Sequence, residues 1–456
     1  MQLKKLILFF FLVICTTNIS GQNIAAGQFH SLAICSNKTL MSWGTNLQGQ
    51  LGNGTNINST VPVPVSIISD VIAITADGHS MALTADSTVW TWGSNLFGQL
   101  GIGSFTSSSI PVQVGGLSKV IKIEAGDIHS LALRSDSTVW AWGDNTKGQL
   151  GTGTNNSSNV PVPVIHLTGI IDIAASGQFS LALRVDGTVW SWGSNLHGQL
   201  GDGTNADKNF PVWVGTITDV KSIATGQNNS YALKNDSTIW SWGGSVHGQL
   251  GTGSMASSAL PVQVTSLSNV ASIGGGDLHV FAVKYDGTLW AWGYNGYGQF
   301  GDGTNTNSSF PIHVSTFTNV QIIANGASWH SLFIKNNGTL WSCGANFNGE
   351  LGVGTIINHA IPVQVTSACP LLTSTESLSL NKSELHVYPN PSNGVFSIRS
   401  EGGALRILDS RGKIIIDRWI EGPLNNCQLN HLDEGMYFLQ LRNGSSYINQ
   451  KLIFIK

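Results

Sequence analysis

VIKIEAGDIHSLALRSDSTVWAWGDNTKGQLGTGTNNSSNVPVPV, residues Val120 to Val164, is one unit of a repeat, and its reading decides the fold. Val120 to Ile123 reads as a strand, and Gly126 breaks it. Ser130 to Leu133 predicts a second strand. Ser135-Asp136-Ser137 reads as a hairpin turn, and its counterpart Asp186-Gly187 is a strong turn dipeptide. Thr138 to Trp142 predicts a third strand, with Trp140 and Trp142 on one face because strand side chains alternate. Gly143 to Gly153 is a Gly-rich loop. Pro161 to Val164 predicts a short edge strand, where the missing donor of Pro is tolerated. Such a unit is a four-stranded antiparallel sheet with two apolar faces. It cannot bury both alone. Radial stacking buries them, and closing the ring removes the open ends.

The unit recurs at a spacing of about fifty residues. Gly148-Gln149-Leu150-Gly151 is repeated at Gly49, Gly98, Gly198 and Gly248, with variants Gly298-Gln299-Phe300-Gly301 and Gly349-Glu350-Leu351-Gly352. A Trp-x-Trp-Gly strand precedes most copies. The first copy has Met41-Ser42-Trp43-Gly44 and the last has Trp341-Ser342-Cys343-Gly344. Seven units predict an all-β chain whose main domain, residues 22–368, is a seven-bladed β-propeller. The composition agrees: 54 Gly and 15 Trp suit tight turns feeding short buried strands. Only 10% of residues are charged, which excludes a highly charged disordered chain.

The WD and kelch repeats fit less well, since no Trp-Asp follows Gly78-His79 and no double-Gly signature is present. The units instead resemble the repeats of the regulator of chromosome condensation family. Ala125 to Leu133, Asp186 to Gly193 and Asn195 to Thr204 carry its pattern. The resemblance covers about Gln22 to Ala368 and implies seven blades. The family's nuclear exchange-factor role is not expected here, because the chain reads as exported.

Lys4, Lys5 and the apolar run Leu6 to Cys15 predict a signal peptide over residues 1–21. The run is too short to span a bilayer comfortably, and Leu12-Val13-Ile14 before Cys15 does not suit a lipid anchor. Four cysteines follow, Cys35, Cys343, Cys369 and Cys427, and their spacing selects none of the three possible pairings. Residues 369–384 belong to a Ser/Thr-rich linker. Residues 385–456 hold short alternating strands that suggest a small β-sandwich. Tyr388-Pro389-Asn390-Pro391, Gly394 and the Gly435-Met436-Tyr437 strand resemble the C-terminal sorting domain of type IX secretion. That resemblance implies passage through the outer membrane of a Gram-negative bacterium, with the type IX machinery as a partner.

Candidate chemistry is sparse. His30, His79, His129, His279 and His330 hold equivalent places, with Phe179 and Asn229 replacing them in two units. Such positions lie around a ring, so a packed or hydrogen-bonded role is favoured over a metal site. The paired Trp fit packing between blades, while Trp213 and Trp329 fall outside the pattern and are better candidates for exposed work. Asp202 and Asp302 are weak calcium candidates, since other copies carry Asn, Ile, Thr or Val. No motif points to a catalytic, cofactor or metal site, and the chain is expected not to be an enzyme. From Gln22 to Ala368 there are 11 Lys and Arg against 17 Asp and Glu, the wrong sign for nucleic acid.

The variation between copies is more informative. The pair before Gly-Gln-Leu-Gly reads Leu47-Gln48, Leu96-Phe97, Thr146-Lys147, Leu196-His197, Val246-His247, Gly296-Tyr297 and Phe347-Asn348. One such turn tip per blade forms a ring on one face. Phe97, His197, His247, Tyr297 and Phe347 are the expected contact residues for an extracellular protein or surface ligand. The rival expectation for the tips is packing onto the neighbouring blade. The rival function is glycan binding or glycan-directed catalysis on the same face.

Overall fold

The computed structural model describes residues 23–324, 326, 328–365, 386–388, 395–399, 403–408, 413–420, 424–428, 435–443 and 446–454. The expected signal peptide and linker lie outside these residues. Every secondary-structure element described is a strand. The chain divides into two compact units, residues 1–374 and 375–456.

The first unit is a seven-bladed propeller. Each blade is a sheet of four consecutive antiparallel strands. In the third blade these are Val120–Ala125, His129–Arg134, Val139–Gly143 and Ser158–Pro163. The blades span residues 24–64, 71–113, 120–163, 170–213, 220–263, 270–313 and 320–364. The first strand of a blade meets its counterpart next door, so it lies innermost, and the Pro-containing fourth strand is the outer edge. The hairpin at Ser135-Asp136-Ser137 forms as its residues dictate. Asp136 Oδ1 accepts from the Thr138 amide and hydroxyl, and Ser137 takes a φ of 64°.

The second Trp of each pair is the wedge between blades. Trp43, Trp92, Trp142, Trp192, Trp242 and Trp292 are all fully buried. The first Trp is half-buried on the same face, with a cation above it in several blades. The Arg134 guanidinium, for example, lies 5.8 Å from the Trp140 ring centre. The seventh blade has Cys343 at the wedge position. Phe281, Phe300, Phe317 and Phe333 share one buried cluster with it, with ring contacts of Phe333 to Phe281 and Phe317. Phe300 is the residue that departs from the Gly-Gln-Leu-Gly pattern. Cys343 is free and buried, whereas Cys35 is disulfide-bonded.

The ring closes without exchanging a strand. The Glu350 carbonyl accepts the Trp43 indole N–H at 2.7 Å and the Ser31 hydroxyl at 2.8 Å. The Gly354 amide donates to Thr60 O at 2.8 Å. In the second unit the described strands make a three-stranded and a four-stranded antiparallel sheet. Among the described residues no helix is long and apolar enough to cross a membrane.

Candidate binding face

One hydrogen-bond relay builds the seams, and it explains the repeated polar residues. Gln99 O accepts the Trp142 indole N–H and the Ser130 hydroxyl of the next blade, each at 2.8 Å. Gln50, Gln149 and Gln199 repeat this with Trp92 and Ser80, Trp192 and Ser180, and Trp242 and Ser230. The same serine meets a histidine Nε2 from the preceding blade. The pairs are His30 with Ser80, His79 with Ser130, His129 with Ser180, His279 with Ser331, and His330 with Ser31. The serine proton goes to the carbonyl, so the imidazole donates from Nε2 and Nδ1 is left unprotonated. Burial holds these rings neutral. His30 and His129 are lowered to about 4, and His79, His279 and His330 to about 3. A side chain at Gly126 would collide with the His129 ring, which accounts for the Gly-x-x-His spacing.

Two seams lack the histidine, and in one of them the serine is lost as well. Val280 removes the serine hydroxyl from one seam, and Asn229 replaces the histidine facing it. The Tyr231 hydroxyl donates to Gln249 O in place of that serine, at 3.1 Å.

The turn tips stand above this layer, and their backbone is held by residues other than themselves. Phe97, Lys147, His197, His247 and Tyr297 each donate a backbone N–H to the side-chain oxygen of the Gln two residues later. Asn145 clamps its loop by donating to Thr154 O and Asn156 O while accepting from the Leu150 amide. The turn therefore keeps its shape whatever side chains the tip carries.

Phe97 and Phe347 are 43% and 48% exposed, while His197, His247 and Tyr297 are half-buried. Tyr297 stacks on Trp329 with ring centres 5.6 Å apart and meets Phe347 edge-on at 5.2 Å. Tyr294 joins Tyr297 to His247, and Phe29 continues the row beyond Trp329 at 6.2 Å. Three of the five expected residues thus belong to one aromatic arc from the fifth blade to the first. His197 stands apart, beside Gly244. Phe97 borders a cavity of about 320 Å³ on the first three blades. Trp213, 48% exposed, lies on an outer strand away from the arc.

The sequence reading missed the centre of this face. The loop from first to second strand carries a variable residue two positions before the histidine. It is Asp77, Asp127 and Asp277 in three blades, and Gln28, Gly177, Gln227 or Ser328 in the others. The three carboxyls converge. Burial, then Asp127 and Asp277, push Asp77 well above the usual carboxylate range. Burial and Asp127 raise Asp277 to about 7, and burial raises Asp127. The Trp329 indole N–H donates to Asp277 and so ties the arc to the acidic centre. The same variability that exposed the tips marks this position. Only the ring geometry, however, brings residues fifty and two hundred positions apart to one axis. Near them the Gly326 amide donates to Gly275 O, and a side chain at Gly326 would meet the carbonyls of Ala26 and Ala76.

The RCC1-like domain model matches residues 12–218 and again 118–384, and the secretion system C-terminal sorting domain model matches residues 386–456. Among solved structures, human WBSCR16 is 25% identical, with a TM-score of 0.61 over 67% of this chain and 84% of that one. Prp20p from Saccharomyces cerevisiae, whose structure was described with its binding to Gsp1p and histones, is 25% identical, with a TM-score of 0.66 over 76% and 88%. Yeast RCC1 (Prp20) bound to Kap60 shares the fold at 22% identity, with a TM-score of 0.68 over 80% and 90%. No curated protein sequence matches the chain. The sorting domain implies type IX secretion, which makes this a secreted or cell-surface protein. By its repeats, seams and seven blades, the chain belongs to the RCC1-like domain family and carries a type IX sorting domain at its C-terminal end.

Proposed function

We propose that the propeller is a secreted protein-binding module, not an enzyme, that docks an extracellular partner on the face bearing the turn tips. The observation that carries this reading is the division of labour within each turn. Asn and Gln side chains fix the backbone, while the tip pair changes from blade to blade and leaves Phe97 and Phe347 exposed. A fold needs no such variety, and interface energy concentrates in a few large anchors. The recurring histidines support binding over catalysis, because each spends its Nε2 proton on a neighbouring serine and is held neutral by burial. The role as adhesin, scaffold or inhibitor of another protein follows from the partner.

The test is capture of proteins from medium or partner cells on the purified full chain, beside the Phe97→Ser/Tyr297→Ser double variant. A partner held by the wild type and lost by the folded variant supports the reading. Equal capture by both would move the site elsewhere. Binding to a glycan array instead of protein would favour the carbohydrate alternative. Deletion of residues 385–456 should leave a folded propeller in the periplasm, and normal appearance in the medium would refute the sorting role.

A further inference from the structure

The cavity below Phe97 has a composition that selects a ligand. It is lined by Phe29 and Phe97, by Gln28 and Gln48, and by Asp77 and Asp127. Among the described residues no Lys or Arg borders it. Asp77 is only 1% exposed, and beyond the nearby Gly78 amide and the Asp127 carboxyl neither of its carboxylate oxygens meets a donor. One oxygen each of Asp127 and Asp277 is also without a donor. Buried acceptors in this state are costly unless a donor reaches them. Asp77 and Asp127 lie within reach of a shared proton, which lets two neighbouring carboxyls coexist. A cationic group can take that proton's place. The walls suit the rest of such a group, since aromatic faces attract an ammonium or guanidinium and cover its alkyl stem. Among the described residues no set of three or more His, Cys, Asp or Glu has the geometry of a metal site, which favours an organic cation over a divalent ion.

We propose that this cavity receives one lysine or arginine side chain of the docked partner, its charged head on Asp77 and Asp127 and its stem between Phe29 and Phe97. The site rests on the reading of the tip face as the docking face and narrows it. Asp277 couples electrostatically to both carboxyls. On binding, the cation enters and the proton shared by the two carboxyls leaves to solvent. The partner is thus a protein that presents a basic side chain on a protruding loop.

The experiment uses the full chain and three capped tripeptides, acetyl-Gly-Lys-Gly-amide, its arginine counterpart and its Nε-acetyl-lysine counterpart, followed by saturation-transfer NMR. The lysine or arginine peptide should bind, and the neutral peptide should bind about tenfold more weakly or worse. Asp77→Asn/Asp127→Asn should abolish the difference and melt no lower than the wild type, because it removes repulsion. If the double variant fails to fold, Asp127→Asn alone should weaken the cationic peptides selectively. Equal binding of all three peptides, binding of none, or displacement of the peptide by millimolar calcium would each overturn the proposal. Capture of a protein partner separates the two levels. Loss with Phe97→Ser/Tyr297→Ser but retention with Asp77→Asn/Asp127→Asn keeps the docking face and refutes the basic anchor. Retention by both pairs refutes the docking face itself.

Discussion

The seam between blades and the face above it draw on residues two positions apart in sequence. His129 belongs to the seam and Asp127 to the face; Gln149 belongs to the seam and Lys147 to the face. The seam joins the same atoms in most blades: an indole N–H and a hydroxyl on a carbonyl, and an imidazole on that hydroxyl. The face changes its side chains from blade to blade at equivalent points. A seam must match the next blade, so it repeats. The face meets only what lies outside, so it is free to differ. The seam should therefore answer to stability measurements and the face to binding measurements. Each of the following tests can break or sharpen that division.

The largest effect should come from acid. The seam histidines titrate near 3 or 4 in the propeller, against an ordinary value of 6.5. The unfolded chain therefore binds more protons across that window. Stability is complete above about pH 6.5 and is lost as the pH falls toward the folded values. At pH 5 the loss is roughly 2 kcal/mol for each such histidine. Five seams share it, so the melting temperature should collapse between pH 7 and pH 5. His129→Phe, which copies Phe179 of the next blade, should lessen the drop. A melting curve indifferent to this pH range would show that the relay does not hold the ring.

Next is the wedge. Trp142→Ala should cost about 3–5 kcal/mol in urea unfolding, the usual result of emptying a large buried aromatic site. Trp140→Ala should cost about 1 kcal/mol, since that ring is half-buried and loses a cation contact. Similar costs for both would mean that the two indoles share one role.

The fold was legible because its information is local and repeated. Each Trp-x-Trp strand, hairpin turn and Gly-rich loop could be read within one unit, and seven copies left little freedom of arrangement. The tip ring was legible for the same reason, as variation against a constant frame. The acidic centre was not. Asp77, Asp127 and Asp277 look unremarkable one at a time, and their meaning depends on the radius and closure of the ring. The aromatic arc was half legible: Trp329 stood out as a residue outside the pattern, but its stacking on Tyr297 needed the seventh blade beside the sixth.

The acidic centre belongs to the face, yet it should leave one mark on stability, of opposite sign to that of the histidines. Asp277 is raised from 3.8 to about 7, so the folded chain binds the extra proton between those values. Its contribution is complete below 3.8 and is lost as the pH rises through about 7. Between pH 8 and pH 6 this gain opposes the larger histidine loss, so Asp277→Asn should lose more melting temperature over that range than the wild type does. An equal loss in the two proteins would show that Asp277 does not hold that proton.

The smallest expected effect on stability belongs to Phe97, and it tests the division most sharply. Among the tip aromatics the structure separates two cases. Tyr297 is half-buried and touches Tyr294, Trp329 and Phe347, so Tyr297→Ser removes several ring contacts. Such pairs are worth about 0.5–1.5 kcal/mol each beyond their burial, so a measurable loss of stability is expected there. Phe97 is 43% exposed and borders the cavity, and its turn is held by Gln99 and Asn95 through the Phe97 and Leu100 amides. Phe97→Ser should therefore stay within about 0.5 kcal/mol of the wild type in urea unfolding. The same variant should lose most of its partner binding, because an exposed aromatic at the rim of a desolvated pocket is what an interface anchor looks like. A large stability loss with binding intact would assign Phe97 to the seam, and the separation of a repeated frame from a variable face would fail at the blade where it looks cleanest.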